Sequence, residues 1–331
     1  MGKLKHMQLT IAALIFYVAV QILSYVGILN GYFMVIINRS LVFVILAVSL
    51  NLINGITGQF SLGHMGFAAV GAYVSGTFTT LLFKLSPAVP LHGLGFVLAL
   101  LAGGLMAALT GFLIGFPSLR LRGDYLAIVT LGFGEIIRTI LNNIAYVGGP
   151  RGLLGIPKFS NFTVIFLFTF VTIVIIRNLI QSSTGRAMLS VRENELASEL
   201  VGIDTTRYKV LGFVFGAFFA GIGGGLLAHL LQIAHPTQYG FYASALILIM
   251  LYVGGIGSLT GSIIAAFSLT FLTEGLRVGI DWLRDSAGIP IGTEWTMVIY
   301  AALLILIMLF KTEGLMGMRE SSILIIKEKQ G

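Results

Sequence analysis

Residues 93–116 read GLGFVLALLAGGLMAALTGFLIGF, 24 positions without a single charge. A helix of that length extends about 36 Å, enough to cross the ~30 Å hydrocarbon core of a bilayer. In lipid the backbone must satisfy its own hydrogen bonds, and a run this long and uniformly apolar suits a helix, not a barrel strand. The rest of the chain repeats the pattern. Of 331 residues 57% are hydrophobic and 10% charged, with a mean hydropathy of +0.98. Soluble domains carry about 25% charged residues. Lipid must therefore be the solvent for most of the surface, which excludes a soluble enzyme, a disordered chain and a nucleic-acid module.

Ten segments have the length and polarity of spans: 9–29, 33–54, 61–83, 93–116, 124–146, 161–180, 210–232, 241–257, 261–280 and 295–311. Four of them (33–54, 61–83, 124–146 and 261–280) are weakened by Gly, Asn, Glu or Arg. The expectation is an all-α polytopic bundle of about ten spans, eight at the fewest, forming one transmembrane domain over 1–331 with a polar loop at 181–209 and a tail at 312–331. The run at 9–29 follows Lys3 and Lys5 and lacks a small-x-small cleavage pattern, so it reads as a retained first span.

With ten spans and both ends cytoplasmic, 13 of the 20 Lys and Arg fall inside, among them Arg120, Arg122, Arg186 and Arg192. Five, including Arg39 and Lys84, fall outside or near the outer face; Arg138 and Arg277 fall within spans. That bias obeys the positive-inside rule. Dropping one span would invert everything downstream of it.

Glycine is abundant, 42 residues, with four-residue spacing at Gly111/Gly115, Gly212/Gly216, Gly221/Gly225 and Gly257/Gly261. Such spacing puts two glycines on one helix face and lets backbones approach closely. The segment from Asn51 to His64 is the most polar next to a span: Asn51 and Asn54 share a face, Gly55, Thr57 and Gly58 break the helix, and Gln59 follows. His64, Ala68, Gly71 and Ser75 then form a small and polar stripe. The segment is either a pathway or gating element or an ordinary inside turn with a packed helix behind it. Glu135/Arg138 and Glu274/Arg277 are i,i+3 pairs inside spans, which either satisfy each other or serve substrate or proton passage.

The loop 181–209 carries Arg186, Arg192, Glu193, Glu195 and Glu199, with Leu196, Leu200 and Ile203 at helical spacing among them. A short amphipathic helix fits, and its mixed charge favours a protein partner over an anionic lipid surface. Cysteine is absent, the histidines have no partner at metal-ligand spacing, and no GxxxxGK[ST] phosphate loop occurs. The chain is thus expected to be no enzyme, to bind no cofactor or metal and to hydrolyse no ATP.

Three separated motifs carry a resemblance. NLINGITGQFSLGHMGFAAVGAY (51–73), GRAMLSVRENELASELVGI (185–203) and GGIGSLTG (254–261) look like those of branched-chain amino acid ABC importer permeases, the LivM type in particular, over about residues 40–312. The resemblance implies a multi-pass protein of a prokaryotic plasma (inner) membrane importing leucine, isoleucine, valine or related amino acids. It implies as partners a LivH-type second permease, two ATP-binding cassette subunits that use ATP and Mg, and an extracytoplasmic substrate-binding protein. The loop would be the coupling helix, with Arg192, Glu195 and Glu199 against the ATPase and Gly202 ending the helix. In the general importer motif, Glu-Ala-Ala-x-x-x-Gly, this chain has Leu196, Ala197 and Ser198 before Gly202, so the glutamate falls one residue early, at Glu195, and no Ile-x-Leu-Pro follows. The alternative from the residues alone is a self-sufficient, proton-coupled secondary transporter using the intramembrane Glu/Arg pairs.

Overall fold

The computed structural model describes residues 2–82, 92–118, 123–287, 295–311, 313–317 and 320. Expected features at Lys84, Arg120, Arg122 and most of the 312–331 tail lie outside these residues. The described chain forms α1 (Gly2–Tyr25), α2 (Gly31–Asn51), α3 (His64–Thr77), α4 (His92–Ser118), α5 (Asp124–Asn143), β1 (Leu153–Leu154), α6 (Phe162–Gln181), α7 (Ser183–Glu193), α8 (Glu195–Leu200), α9 (Thr205–Leu231), β2 (Ile233–Ala234), α10 (Phe241–Gly254), α11 (Leu259–Ala287) and α12 (Trp295–Phe310). β1 and β2 pair as a short antiparallel ribbon.

Eight helices among the described residues are long and apolar enough to cross a membrane: α1, α2 with a π turn through Ile56, α4, α5, α6, α9, α10 with the turn before it, and α11. This is a multi-pass membrane protein. Two of the ten expected spans fall short by length. The one at 61–83 becomes helical only at His64 and changes from α to π after Thr77; the one at 295–311 is the 16-residue α12.

The core is built around α9, which packs on α2, α3 and α4. Glycines let these backbones touch. A Cβ on Gly71 of α3 would lie 2.0 Å from the Gly221 carbonyl oxygen of α9, and one on Gly221 would lie 2.5 Å from Ala107 of α4. Gly212 and Gly216 meet Thr57 and Ile53 in the same way, and Gly225 meets Ser75 and Leu100. The expected glycine pairs on α4 and α9 therefore lie at helix interfaces, although Gly115 stands at ordinary contact distance from Phe213. Gly257/Gly261 differs. Gly257 has φ +87° in the turn before α11, so the two do not share a helix face.

Helices at the edge show what they turn to lipid. On α4, Leu94, Leu98, Leu101, Leu105, Leu109 and Phe112 recur at helical spacing and are all exposed. α1 is almost entirely uncovered, resting on α6 and α11 through Phe16 and Tyr17. The centre is the reverse: α2 is continuously buried from Ser40 to Asn51.

The two ends of the bundle differ. α9 spans 27 residues, about 40 Å, from the 183–204 loop to the β1–β2 ribbon. The turn after α2, the turn between α10 and α11, residues 313–317 and Glu320 gather at the loop end. Leu315 N–H donates to the Val253 carbonyl at 2.7 Å, and the Glu320 carboxylate accepts from Leu259 N–H and, at 3.1 Å, from Thr260 N–H. A carboxylate there meets the free N–H groups and the positive dipole end of α11.

Candidate functional site

The polar segment after α2 breaks inside the bundle. α2 passes through one π turn (Leu52–Ile56), and Gly58 at φ +70° then takes the chain out of helical geometry. Residues 57–63 run irregularly, mostly buried, until α3 begins. Met65 N–H donates to Ser244 Oγ at 3.2 Å, ten residues back from the end of α10 at Gly254. That is about 15 Å above the inter-helix turn. Irregular backbone at such depth needs substitute partners. Asn54 supplies two: its Oδ1 accepts from Ser61 N–H at 3.2 Å and its Nδ2 donates to Ser61 O at 3.4 Å. Thr130 Oγ1 accepts from Leu62 N–H at 3.1 Å. Gln59 is buried, and neither of its side-chain amide atoms has a hydrogen-bond partner among the described residues. His64 is buried against Ser49, Nε2 to Oγ 2.9 Å, and the stripe it begins packs on α9.

The three motifs meet at the foot of this break. Asn51 Oδ1 accepts from Gly257 N–H at 2.9 Å, joining the first motif to the third. Arg192, from the second, donates from Nη1 to the Gly55 carbonyl at 2.7 Å. The fit has no slack: a Cβ on Gly55 would lie 1.9 Å from Asn51 Oδ1, one on Gly58 2.7 Å from Arg192 Cγ, and one on Gly257 2.9 Å from Arg192 Nη1. The Arg192 side chain is 17% exposed and its outer edge pairs with Glu193 at 2.5 Å. Arg192 Nη1 therefore points into the membrane bundle, while Nε and Nη2 bond Glu193 at the surface.

The loop itself is two helices, α7 and α8, not the single short one expected. Asn194 breaks the path and its Oδ1 caps α8 by accepting from Ala197 N–H at 3.0 Å; Ser182 and Asp204 cap α7 and α9 in the same way. Gly202, at φ +85°, closes α8. Glu195 pairs with Lys209 at 2.5 Å and Glu199 accepts from Thr205 Oγ1 at 2.8 Å, so both carboxylates face this chain. Arg186 donates to the Gln181 carbonyl at 3.2 Å. Among the exposed residues of the loop, which include Glu193, Ala197, Glu199 and Arg207, lies an apolar patch: Leu196 is 61% exposed, Leu200 89% and Val201 75%. The exposed stripe runs to Val201, with Ile203 half-buried.

The intramembrane pairs form as spaced. Glu135 accepts from Arg138 at 2.7 Å and from Phe241 N–H at 3.0 Å, tying α5 to the first turn of α10. Glu274 pairs with Arg277 at 2.5 Å, and both bond the Tyr32 hydroxyl at the start of α2. The two pairs are not brought together. The second shares a cavity with Arg39, which the sequence placed only near the outer face; its signal was a lone cation inside the apolar run 33–54.

Residues 32–308 match the family described as branched-chain amino acid transport system / permease component. The chain is 36% identical to the high-affinity branched-chain amino acid transport system permease protein LivM of Escherichia coli (strain K12), over 84% of this chain and 68% of that one. It is 26% identical to LivH of the same organism, over 84% of this chain and 92% of that one, and 22% identical to a probable LivM of Methanocaldococcus jannaschii over 80% of each. No solved structure matches the chain. With the family match running from α2 into α12 and taking in all three converging motifs, this chain belongs to the branched-chain amino acid transport system permeases.

Proposed function

We propose that this plasma-membrane permease is the LivM-type half of an ATP-driven importer for leucine, isoleucine, valine or related amino acids. Its partners are a LivH-type permease, two ATP-binding cassette subunits and an extracytoplasmic binding protein. ATP and Mg belong to the cassette subunits; this chain binds neither and performs no chemistry. The observation that carries the reading is the wedge of Arg192 between the broken end of α2 and the turn before α11. A force on the loop is delivered through one guanidinium to two helices that line the cavity near Glu274. The bare Leu196, Leu200 and Val201 offer the apolar face that such a partner would cover. The Glu195–Lys209 and Glu199–Thr205 contacts hold α8 at a fixed angle while they do so.

The same reading sets the topology. Loop 181–209, both inter-helix turns, residues 313–317 and Glu320 share one end of the bundle, which supports ten crossings with both termini cytoplasmic. The short α3 then crosses together with its buried, irregular lead-in. The proton-coupled alternative has no support among the relatives, which are named as components of transport systems. The test is reconstitution in liposomes. Leucine uptake is expected only with both permeases, the cassette subunits, the binding protein and ATP. Leu200→Asp, which puts a charge in the middle of the apolar patch, is expected to strip the cassette subunits from the purified complex. Uptake by this chain alone under a pH step would overturn the reading.

A further inference from the structure

Two cavities of about 230 Å³ each flank Arg39 on α2, and Phe43 and Leu246 line both. The first lies between α2, α10 and α11, with Met250, Thr270, Glu274 and Arg277 on its walls. The second reaches Met65, in the first turn of α3. Arg39 follows Gly31 by eight residues, about 12 Å into α2. It is exposed to this space and has no hydrogen-bond or ion-pair partner among the described residues; its guanidinium lies 5.3 Å from the centre of the Phe43 ring. A lone guanidinium in a span must face water or a ligand, not lipid.

The charges of the first cavity do not balance: two cations, Arg39 and Arg277, stand against one carboxylate, Glu274, which is already shared with Arg277 and Tyr32. An incoming carboxylate would complete the set, and a guanidinium presents the fork that binds one in two places. The hydroxyls of Thr270 and Thr273 donate to the Ala266 and Leu269 carbonyls at 2.7 and 2.8 Å. Their lone pairs are thereby left to accept, which suits an ammonium. Phe43, Leu246 and Met250 supply an apolar wall.

We propose that this cleft is a substrate subsite of the permease. It takes an amino-acid zwitterion with its carboxylate on Arg39, its ammonium toward Glu274 and the two threonine hydroxyls, and its aliphatic side chain against Phe43, Leu246 and Met250. The subsite rests on the importer reading above and says where in this chain the amino acid pauses. It lies 12 residues, about 18 Å, along α2 from Asn51, so the same helix that Arg192 engages at its foot carries the carboxylate-binding cation.

The test exploits the absence of native cysteine in this subunit. Leu246→Cys is placed in the full importer complex in detergent, and its labelling by N-ethylmaleimide is followed by the mass of this subunit. Leucine is expected to slow the labelling in a concentration-dependent manner, while Tyr25→Cys, at the exposed end of α1, labels at one rate with or without leucine. Adding Arg39→Gln is expected to raise the leucine concentration for half-protection about tenfold or more, the effect of losing one charge-assisted contact, and Arg39→Lys to restore part of it. 4-Methylpentanoate, which lacks the ammonium, is expected to protect far more weakly. The proposal is overturned if leucine leaves Leu246→Cys labelling unchanged in a complex that takes up leucine. It is equally overturned if Arg39→Gln does not move the midpoint or if 4-methylpentanoate protects as well as leucine. A complex that takes up no branched-chain amino acid removes the importer reading, and the subsite with it.

Discussion

On the proposed coupling reading Arg192 is a strut, because its Nη1 points inward while Nε and Nη2 hold Glu193. One N–H holds the Gly55 carbonyl at 2.7 Å, and the alkyl stem fills the space that Gly58 leaves by having no Cβ. A hydrogen bond from a charged group contributes about 1.5–3 kcal/mol, and the rigid fork cannot be replaced by a lysine of equal charge. In the reconstituted importer, Arg192→Gln is expected to lower leucine transported per ATP hydrolysed about tenfold, while Glu193→Gln, whose side chain is 68% exposed, leaves the ratio close to that of the unaltered protein. Gly58→Ala is expected to mimic Arg192→Gln, because its Cβ would meet the arginine stem at a backbone angle that disfavours a side chain. A wild-type coupling ratio in Arg192→Gln would show that the strut carries no force.

The triplet α3, α4 and α9 sets how tightly the elements pack. Gly71, Gly103 and Gly221 bring three backbones to near contact, and lipid offers no hydrophobic gain that could replace this packing. Gly221→Val forces Ala107 and the Gly103 carbonyl apart and is expected to cost about 1–3 kcal/mol, read as a lower midpoint of thermal unfolding in detergent. Gly132→Val, at a position on α5 where a Cβ meets nothing, is the control and is expected to leave the midpoint in place. Equal midpoints for the two variants would mean that the triplet tolerates separation.

At the scale of the whole molecule the loop end and the ribbon end are chemically distinct. Leu200 lies exposed at one and Leu154, on β1, at the other. With no native cysteine to interfere, a thiol reagent that cannot cross the membrane reports sidedness directly. In intact cells Leu154→Cys is expected to label, and Glu193→Cys, beside the apolar patch and with a 68% exposed side chain, to label only after the membrane is opened. The reverse pattern would invert the topology and place the apolar patch of α8 out of reach of any cytoplasmic ATPase.

The amino-acid order by itself determined the class of fold, because lipid is a simple solvent and long charge-free runs have one good conformation in it. It also placed the helix break at Gly55–Gly58, since glycine and turn-forming residues act locally, and the i,i+3 pairs Glu135/Arg138 and Glu274/Arg277, since spacing along one helix is enough to bring them together. Only the tertiary structure decided what those features touch. That Arg192 bonds the Gly55 carbonyl, that Glu195 and Glu199 bond Lys209 and Thr205, and that Arg39 shares a cavity with Glu274 depend on how segments as far as 235 positions apart in the chain (274 − 39) are brought together. A side chain's charge is written in the sequence, but its partner is chosen by which helices pack against it, and that choice depends on shape across the whole bundle.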